Sequence, residues 1–244
     1  MKLSDLYKRA LSLLYVPRCA ACRDRLPPDG GALCEGCRLR YELQKSERCP
    51  FCGETLAHCL CPSEALRRAG VREVVKLFEY QKHAGEAVAN RLVFTLKHRG
   101  SAPVVDFFAA ELSARLDAQL PSDRDKTFLT FAPRTPAAKR RYGFDHMELL
   151  ARATAGELGI PFLPLLSRRG GAEQKTLSAR RDRFFNMKDA YTVKGGREAT
   201  AGSHVILLDD VTTSGATLVA AVRALRRAGY RKITVAVLGC RLLR

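Results

Sequence analysis

No window of this 244-residue chain approaches the uninterrupted apolar length of a membrane span. A secretory signal is not expected either: Asp5, Lys8 and Arg9 interrupt the first apolar run, and no small-residue cleavage site follows it. Acid is scarce. The chain carries 25 Asp+Glu against 42 Lys+Arg, a formal net charge of +17. That deficit favours polyanionic partners, whether nucleic acid, phosphate-rich substrates or an anionic membrane face, although a plain basic surface has the same composition. There is no internal repeat beyond a set of cysteine knuckles, and no low-complexity linker. A hydrophobic content of 46% supports a packed core. The length suits one α/β domain with a small accessory module.

The chain is organised around Val205-Ile-Leu-Leu-Asp-Asp-Val-Thr-Thr-Ser-Gly-Ala-Thr-Leu218. An apolar, partly β-branched run leads into two carboxylates, then a short hydroxyl-rich loop, then a helical pattern from Ala216 to Ala228. This predicts a buried parallel strand, a sharp turn and a helix N-terminus. Backbone N–H groups at a helix start, with small hydroxyl side chains, form a site for phosphate. Gly215 allows close backbone approach. Asp209 and Asp210 fall at the carboxyl end of the strand, where open α/β sheets bind ligands. Beside a phosphate site they need sugar hydroxyls or a shared Mg²⁺ ion as partners. The stretch has neither a P-loop ending nor a GxGxxG pattern. An ordinary strand–loop–helix turn with an Asp cap is the plain alternative.

Eight of the nine cysteines fall between Cys19 and Cys61, as Cys19-x2-Cys22, Cys34-x2-Cys37, Cys49-x2-Cys52 and Cys59-x-Cys61. Each knuckle presents two thiolates, so the eight suffice for two tetrahedral Zn²⁺ sites. Spacing leaves consecutive and interleaved pairing both open, with His58 as a substitute ligand. A disulfide framework would need an oxidising compartment. So short a segment has too few large apolar residues for a core of its own, so the zinc is expected to be structural. Cys240 ends an apolar strand as a small hydrophobe.

Ahead of the knuckles, Leu3, Leu6, Tyr7, Ala10, Leu11, Leu14 and Tyr15 lie near one face of a helix, which either packs on the body or docks on a partner. Beyond them the chain alternates. A strand is expected near Val74–Phe78, a helix over Lys82–His98 stopped by Gly100, a helix over Ala102–Leu120 and a central strand over Thr127–Ala132. A basic loop follows from Pro133 to Gly143, then a helix over Phe144–Leu158 and a short strand or extended link over Pro161–Leu166. An extended run starts at Tyr191, and the closing helix and strand are Ala216–Ala228 and Ile233–Leu238. Such alternation implies right-handed crossovers and a mostly parallel open sheet flanked by helices, an α/β fold. Arg134, Lys139, Arg140 and Arg141 in the basic loop can offset pyrophosphate charge. Lys97 closes a helix, where a cation meets the negative end of the dipole. Ser167–Lys188 is the most basic segment and includes Lys175. It suits a flap over a charged substrate or a contact to nucleic-acid phosphates.

Val205–Leu218 resembles the phosphoribosyl pyrophosphate signature of the type I phosphoribosyltransferases. That resemblance implies that Asp209 and Asp210 bind the ribose hydroxyls and carry the catalytic role. It implies that Thr212, Thr213, Ser214, Gly215, Ala216 and Thr217 wrap the 5′-phosphate. Nearly the whole chain resembles the ComF family, which joins a zinc ribbon to such a domain and is linked to DNA uptake in natural competence. The likeness includes Leu96-Lys-His-Arg-Gly100, Arg140-Arg-Tyr-Gly-Phe-Asp-His146 and Gln174–Arg183. It departs where the family has Pro-Val-Pro (here Phe131-Ala132-Pro133) and Gly-Phe-Asn-Gln (here Gly143-Phe144-Asp145-His146). The second departure puts direct ligand contact there in question and introduces a titrating pair.

The resemblance implies an N-terminal helix over 1–18, a double zinc ribbon over 19–65 with Cys19, Cys22, Cys34, Cys37, Cys49, Cys52, Cys59 and Cys61 as ligands, and a phosphoribosyltransferase-like domain over 70–244. Lys97, Arg134, Lys139, Arg140, Arg141 and Lys175 become the pyrophosphate and flap residues. Structural Zn²⁺, Mg²⁺ carried with phosphoribosyl pyrophosphate, single-stranded DNA and a DNA-translocating helicase are the cofactors and partners implied. The expected location is cytoplasmic, with peripheral attachment at the inner membrane face. Two functions stand: pentosyl transfer to an unknown acceptor, or a non-catalytic DNA- or helicase-binding module with a regulatory or vestigial pocket. Glutamine-dependent amide transfer is not expected, because Lys2 follows Met1 and Cys19 belongs to a knuckle.

Overall fold

The computed structural model describes residues 16–81, 87–121, 124–169, 190–194 and 202–241. Most of the helix expected over 1–18, the bulk of the basic segment with Lys175, and residues 82–86 lie outside the described residues. In chain order the elements are α1 (Glu35–Lys45), α2 (Glu64–Arg68), β1 (Val74–Glu79), α3 (Val88–Arg99), α4 (Ala102–Asp117), β2 (Thr127–Phe131), α5 (Pro136–Tyr142), α6 (His146–Leu158), β3 (Leu166–Arg168), β4 (Tyr191–Val193), β5 (His204–Thr212), α7 (Ala216–Arg227) and β6 (Lys232–Cys240).

The sheet is parallel, in the order β1-β6-β5-β2. Leu208 of β5 pairs with Phe131 on one side and Ala236 on the other. Beyond β2, Pro161–Leu163 continues the edge: Leu129 N–H donates to the Pro161 carbonyl, and Leu163 N–H donates to the Leu129 carbonyl. β3 and β4 form a separate antiparallel ribbon. All five residues of β2 are buried, as are the central residues of β5 and the last six of β6, so these strands read as apolar runs without alternation.

Alternate residues of the strands face two different helical layers. Ile206, Leu208, Ala236 and Leu238 join Leu92, Leu96, Phe108, Leu112 and Leu150 of α3, α4 and α6 in one buried cluster. Val205, Leu207, Val235 and Val237 join Leu218, Val222 and Leu225 of α7 and Leu66 of α2 in the other. The first half of the cysteine-rich segment packs into the first cluster, while Cys49, Leu56 and Cys59 form a small cluster of their own. Tyr41 of α1 is fully buried and meets Phe107 edge-on at 5.1 Å between ring centroids. Arg91 Nη1 donates to the Ala21 carbonyl at 3.0 Å.

The structure departs from the expected elements in three instructive places. The basic stretch after β2 contains a helix, because Thr135 caps it by accepting from Ala138 N–H at 3.2 Å and Pro136 takes its first position. The next helix begins at His146 instead of Phe144, since the Asp145 side chain caps it through Met147 N–H. β5 runs on through both aspartates to Thr212, because Gly239 and Cys240 of β6 continue to pair with Val211 and Thr212. Among the described residues no helix is long and apolar enough to cross a membrane.

Candidate functional site

The two adjacent acids at the end of β5 differ sharply in environment. Asp209 is buried, its Oδ1 accepting from Asp210 N–H at 2.9 Å. Burial, reinforced by the neighbouring Asp210 charge, pushes its carboxyl up to about 8. Burial also opposes ionisation of Asp210, but His146 and Lys97 outweigh it and hold that carboxyl below the usual carboxylate range. Asp210 Oδ2 lies 2.7 Å from His146 Nε2 and 3.0 Å from Lys97 Nζ. A carboxylate only accepts, so His146 donates through Nε2. The two acids are therefore pushed apart, Asp209 towards its neutral form and Asp210 towards its ionised form, a coupled arrangement typical of sites that bind or transform a ligand.

Three separate elements deliver these groups. Lys97 comes from the last turn of α3, which ends at Gly100 in a left-handed conformation (φ 55°). His146 opens α6, and Asp210 ends β5. The departure at positions 145–146 thus resolves into two roles. Asp145 is a cap: its carboxylate accepts from Arg134 N–H at 2.9 Å and Met147 N–H at 3.2 Å. His146 reaches across to Asp210 at 2.7 Å and lies 3.9 Å from Asp145, so its close acidic partner is Asp210 and not its sequence neighbour.

Beyond the acids, Thr212 ends β5 with its buried Oγ1 lacking a hydrogen-bond partner. Thr213 and Ser214 form the turn. Ala216 and Thr217 open α7, and Ser214 Oγ accepts from Ala216 N–H at 3.4 Å. Gly215 is the N-cap at φ 76°, and a Cβ there would lie 3.3 Å from Ser63 Oγ and 3.7 Å from Leu66. Left-handed geometry and the close approach of α2 both require glycine. A hollow of about 270 Å³ opens beside this turn, bounded by Thr212, Thr213, Ser63 and Cys61.

Of the basic residues, Arg134 donates from Nη2 to the Lys97 carbonyl at 2.6 Å and stacks on Tyr142 at 4.5 Å. Lys139 lies 3.6 Å from Asp145 and 3.4 Å from Glu148. Arg140 and Arg141 are exposed on α5. Lys97 thus reaches the acids, Arg134 braces the Lys97 carbonyl, and Lys139 braces the start of α6. His98, between them in sequence, packs on Phe94 and Tyr142.

The cysteines gather consecutively. Cys19, Cys22, Cys34 and Cys37 form one group and Cys49, Cys52, Cys59 and Cys61 another, with ligand atoms all within 4.8 Å of one another in each. A tetrahedral ion with Zn–S bonds of about 2.3 Å needs sulfur separations of about 3.8 Å, and Cys22 and Cys34 lie 3.6 Å apart. Burial opposes ionisation of Cys19 and Cys49, but hydrogen bonds from backbone N–H groups outweigh it, those of Cys22, Cys34 and Ala21 for Cys19 and of Phe51 and Cys52 for Cys49, and each thiol comes down to about 7. His58 stands outside the second group and pairs through Nδ1 with Thr55 Oγ1 at 2.8 Å.

One neighbour of the second group was invisible as a functional residue. Lys76 sits in mid-strand β1 at 2% exposure, where it hydrogen-bonds the carbonyls of Cys61 and Val74 and reaches the Cys59 sulfur. Its ammonium favours the thiolate of Cys59. Arg115 adds a second cation, with Nε and Nη2 buried and unpartnered, and its closest electrostatic partner is again Cys59. A buried Lys76 and a half-buried Arg115, neither paired with a carboxylate among the described residues, fit a set of four thiolates around Zn²⁺, which carries net charge −2. The sequence signal was a lysine inside an otherwise apolar strand.

The model of the phosphoribosyl transferase domain matches residues 149–241, from α6 to the end of β6. The chain is 25% identical over 207 residues to competence protein ComFC of Bacillus subtilis, covering 84% of this chain and 81% of that protein. It is 30% identical over 239 residues to the DNA utilization protein YhgH of Salmonella typhimurium, covering 95% of this chain and 100% of the relative. The chain belongs to the ComF family. Within this ComF-family protein the domain match contains both acids and the whole turn into α7. Lys97, which meets Asp210, and His146 both lie ahead of it, as do the eight clustered cysteines.

Proposed function

We propose that this ComF-family protein binds phosphoribosyl pyrophosphate with Mg²⁺ at the carboxyl ends of its strands and acts in the uptake or use of DNA. The observation that carries the reading is the pair of acids at the end of β5, one biased neutral and one held ionised, directly ahead of a hydroxyl-lined turn into α7. A neutral and an ionised carboxyl side by side suit two vicinal ribose hydroxyls, one donating where the other accepts. The free N–H groups at the start of α7, with Thr213, Ser214 and Thr217, receive the 5′-phosphate, and Gly215 lets the backbone close on it. The orphaned Thr212 Oγ1 gains a partner in the same step. Mg²⁺ arriving with the ligand neutralises pyrophosphate charge and orients its oxygens. Lys97 stands beside the acids to stabilise departing pyrophosphate, with Arg134 behind it on the Lys97 carbonyl and Arg140 and Arg141 exposed on α5. Transfer proceeds through an oxocarbenium-like state, so the protein's contribution is positioning and charge stabilisation.

The names of the competence and DNA-utilization relatives support the DNA-related role. A second reading rests on the Lys97–Asp210–His146 contact. The Lys97 ammonium and a His146 ring N–H already occupy the acid that must meet a ribose hydroxyl, as they would in a pocket that senses its ligand without turning it over. Calorimetric titration of phosphoribosyl pyrophosphate, with and without Mg²⁺, tests both readings. Binding accompanied by pyrophosphate release in the presence of acceptors supports an enzyme, binding without release supports an effector site, and an absence of binding refutes the proposal.

A further inference from the structure

The second cysteine group and the turn into α7 are joined by α2. Cys61 belongs to the group, and Ser63 stands two residues on, at the N-cap of α2. Pro62 between them stiffens the link, because its ring fixes φ. Ser63 does nothing for its own helix: its hydroxyl makes no cap hydrogen bond. Instead Ser63 Oγ lies 3.3 Å, Leu66 Cγ 3.7 Å and Ala65 Cβ 3.8 Å from where a Cβ on Gly215 would stand. The start of α2 is therefore packed against the left-handed residue that opens α7. Leu66 is fully buried in the same cluster as Leu218 and Val222 of α7. Past the other end of α2, the Gly70 carbonyl accepts from Arg226 Nη2 of α7 at 2.8 Å.

Metal decides where the front of α2 sits. A helix of five residues is not stable by itself, so its neighbours must fix both ends. Arg226 holds the far end. The near end hangs on a segment whose own core is Cys49, Leu56 and Cys59, too little to fold without an ion. The Leu60 carbonyl accepts from Val74 N–H at 2.9 Å and the Cys61 carbonyl from Lys76 Nζ at 3.0 Å. These bonds tie the segment to β1, and the Zn–S bond at Cys61 then sets the direction in which the chain leaves for Ser63. Cys49 and Cys61 line one part of the hollow of about 270 Å³ and Thr212 and Thr213 another, so open space separates group from turn and α2 carries the contact. The first group is placed differently. Cys19 and Cys37 are buried in the cluster with α3 and α4, whereas α7 belongs to the cluster on the other face of the sheet.

We propose that Zn²⁺ held by Cys49, Cys52, Cys59 and Cys61 and a phosphorylated ligand at the turn into α7 each raise the other's affinity, with Ser63 and Leu66 of the α2 segment as the positioning residues between them. The ion at Cys19, Cys22, Cys34 and Cys37 takes no part. The inference rests on the phosphate reading of the turn and adds its regulation. With the ion bound, α2 holds Gly215 and its neighbours in the form that receives phosphate. Without it that form is a fraction of the population, and the apparent affinity falls by the same fraction. Linkage then requires the ligand to tighten the ion by an equal factor.

The test uses full-length, zinc-loaded protein and ribose 5-phosphate as the probe. Equilibrium competition with a chromogenic chelator follows each ion, and the second ion is the one that Cys52→Ser, a change at an exposed ligand outside the link, makes easier to remove. Saturating probe should raise the chelator concentration that strips the second ion by about tenfold, within the roughly 5- to 150-fold range of such couplings. The first ion should not shift, which also shows that the probe does not itself compete for zinc. By calorimetry, Cys52→Ser freed of its second ion should bind the probe more weakly by the same factor of about ten. The double variant Pro62→Gly, Ser63→Gly loosens the link and keeps all eight thiols. It should retain both ions and lose most of the probe-dependent shift, a readout that a merely structural role for the link would not move. Should Cys52→Ser fail to fold, the wild-type competition still decides, since a shift confined to one ion is the expected result. Saturable binding of the probe with no shift of either ion, an equal shift of both, or a full shift in the folded glycine variant would overturn the proposal and leave the phosphate reading standing. No binding of the probe to zinc-loaded wild type would remove both.

Discussion

Lys76→Met should act in opposite directions on the metal-loaded and metal-free protein. With Zn²⁺ in the second cysteine group, the buried ammonium faces a cluster of net charge −2. Without the metal its charge is buried at 2% exposure with two carbonyls among its hydrogen-bond partners and costs several kcal/mol. Loss of an outer partner typically weakens metal binding about 10- to 100-fold, equivalent to about 1.4–2.7 kcal/mol. Methionine nearly preserves the side-chain volume, so no cavity term intrudes. Competition with a chromogenic chelator should show one Zn²⁺ leaving Lys76→Met about 10- to 100-fold more readily than wild type. The ion held by Cys19, Cys22, Cys34 and Cys37 serves as the internal control. The metal-free variant should melt above metal-free wild type. Equal release of both ions from the two proteins, or a lower melting temperature for the metal-free variant, would refute the assignment of Lys76 as the counter-charge.

Three further outcomes follow from the geometry. Gly215→Ala places a Cβ at φ 76° within 3.3 Å of Ser63 Oγ. It should cost about 1–2 kcal/mol, a fall of about 2–8 °C in Tm by calorimetry, and weaken phosphate binding at the turn. Asp209 has a folded pKa of about 8, raised from 3.8. The native state therefore holds a proton that the unfolded chain has lost, and the stability this contributes disappears as pH rises from about 4 to 8. Asp209→Asn should flatten that part of a denaturation-midpoint series. Asp210 runs the other way: its lowered pKa contributes stability above 3.8 that is lost as pH falls further, and Asp210→Asn should remove that acid-limb loss.

Much of the fold was legible because its strands are apolar runs and its helices carry separate apolar stripes. Val205–Leu208 and Ile233–Leu238 could be little else than central strands. The helix at 136–142 was also written in the chain, as Thr135 then Pro136, but the density of arginine and lysine drew attention to charge instead of capping. β5 ran past its expected end because its length depends on β6, a partner nearly thirty residues away. Spacing could not choose between consecutive and interleaved cysteines, since either gives four thiolates per ion; the fold makes that choice. The His146–Asp210 contact spans 64 positions, and position 146 alone offered only its neighbour Asp145 as a partner. Lys76 was hidden for a related reason: a lone lysine in a strand acquires meaning only when topology sets it beside the second cysteine group.

The central claim is that the end of β5 and the turn into α7 hold a phosphorylated ribose. Calorimetric titration of phosphoribosyl pyrophosphate with Mg²⁺ into wild type and into the folded double variant Asp209→Asn, Asp210→Asn tests it most directly. The account predicts saturable binding to the first and none to the second. Equal affinity in the two proteins would contradict it.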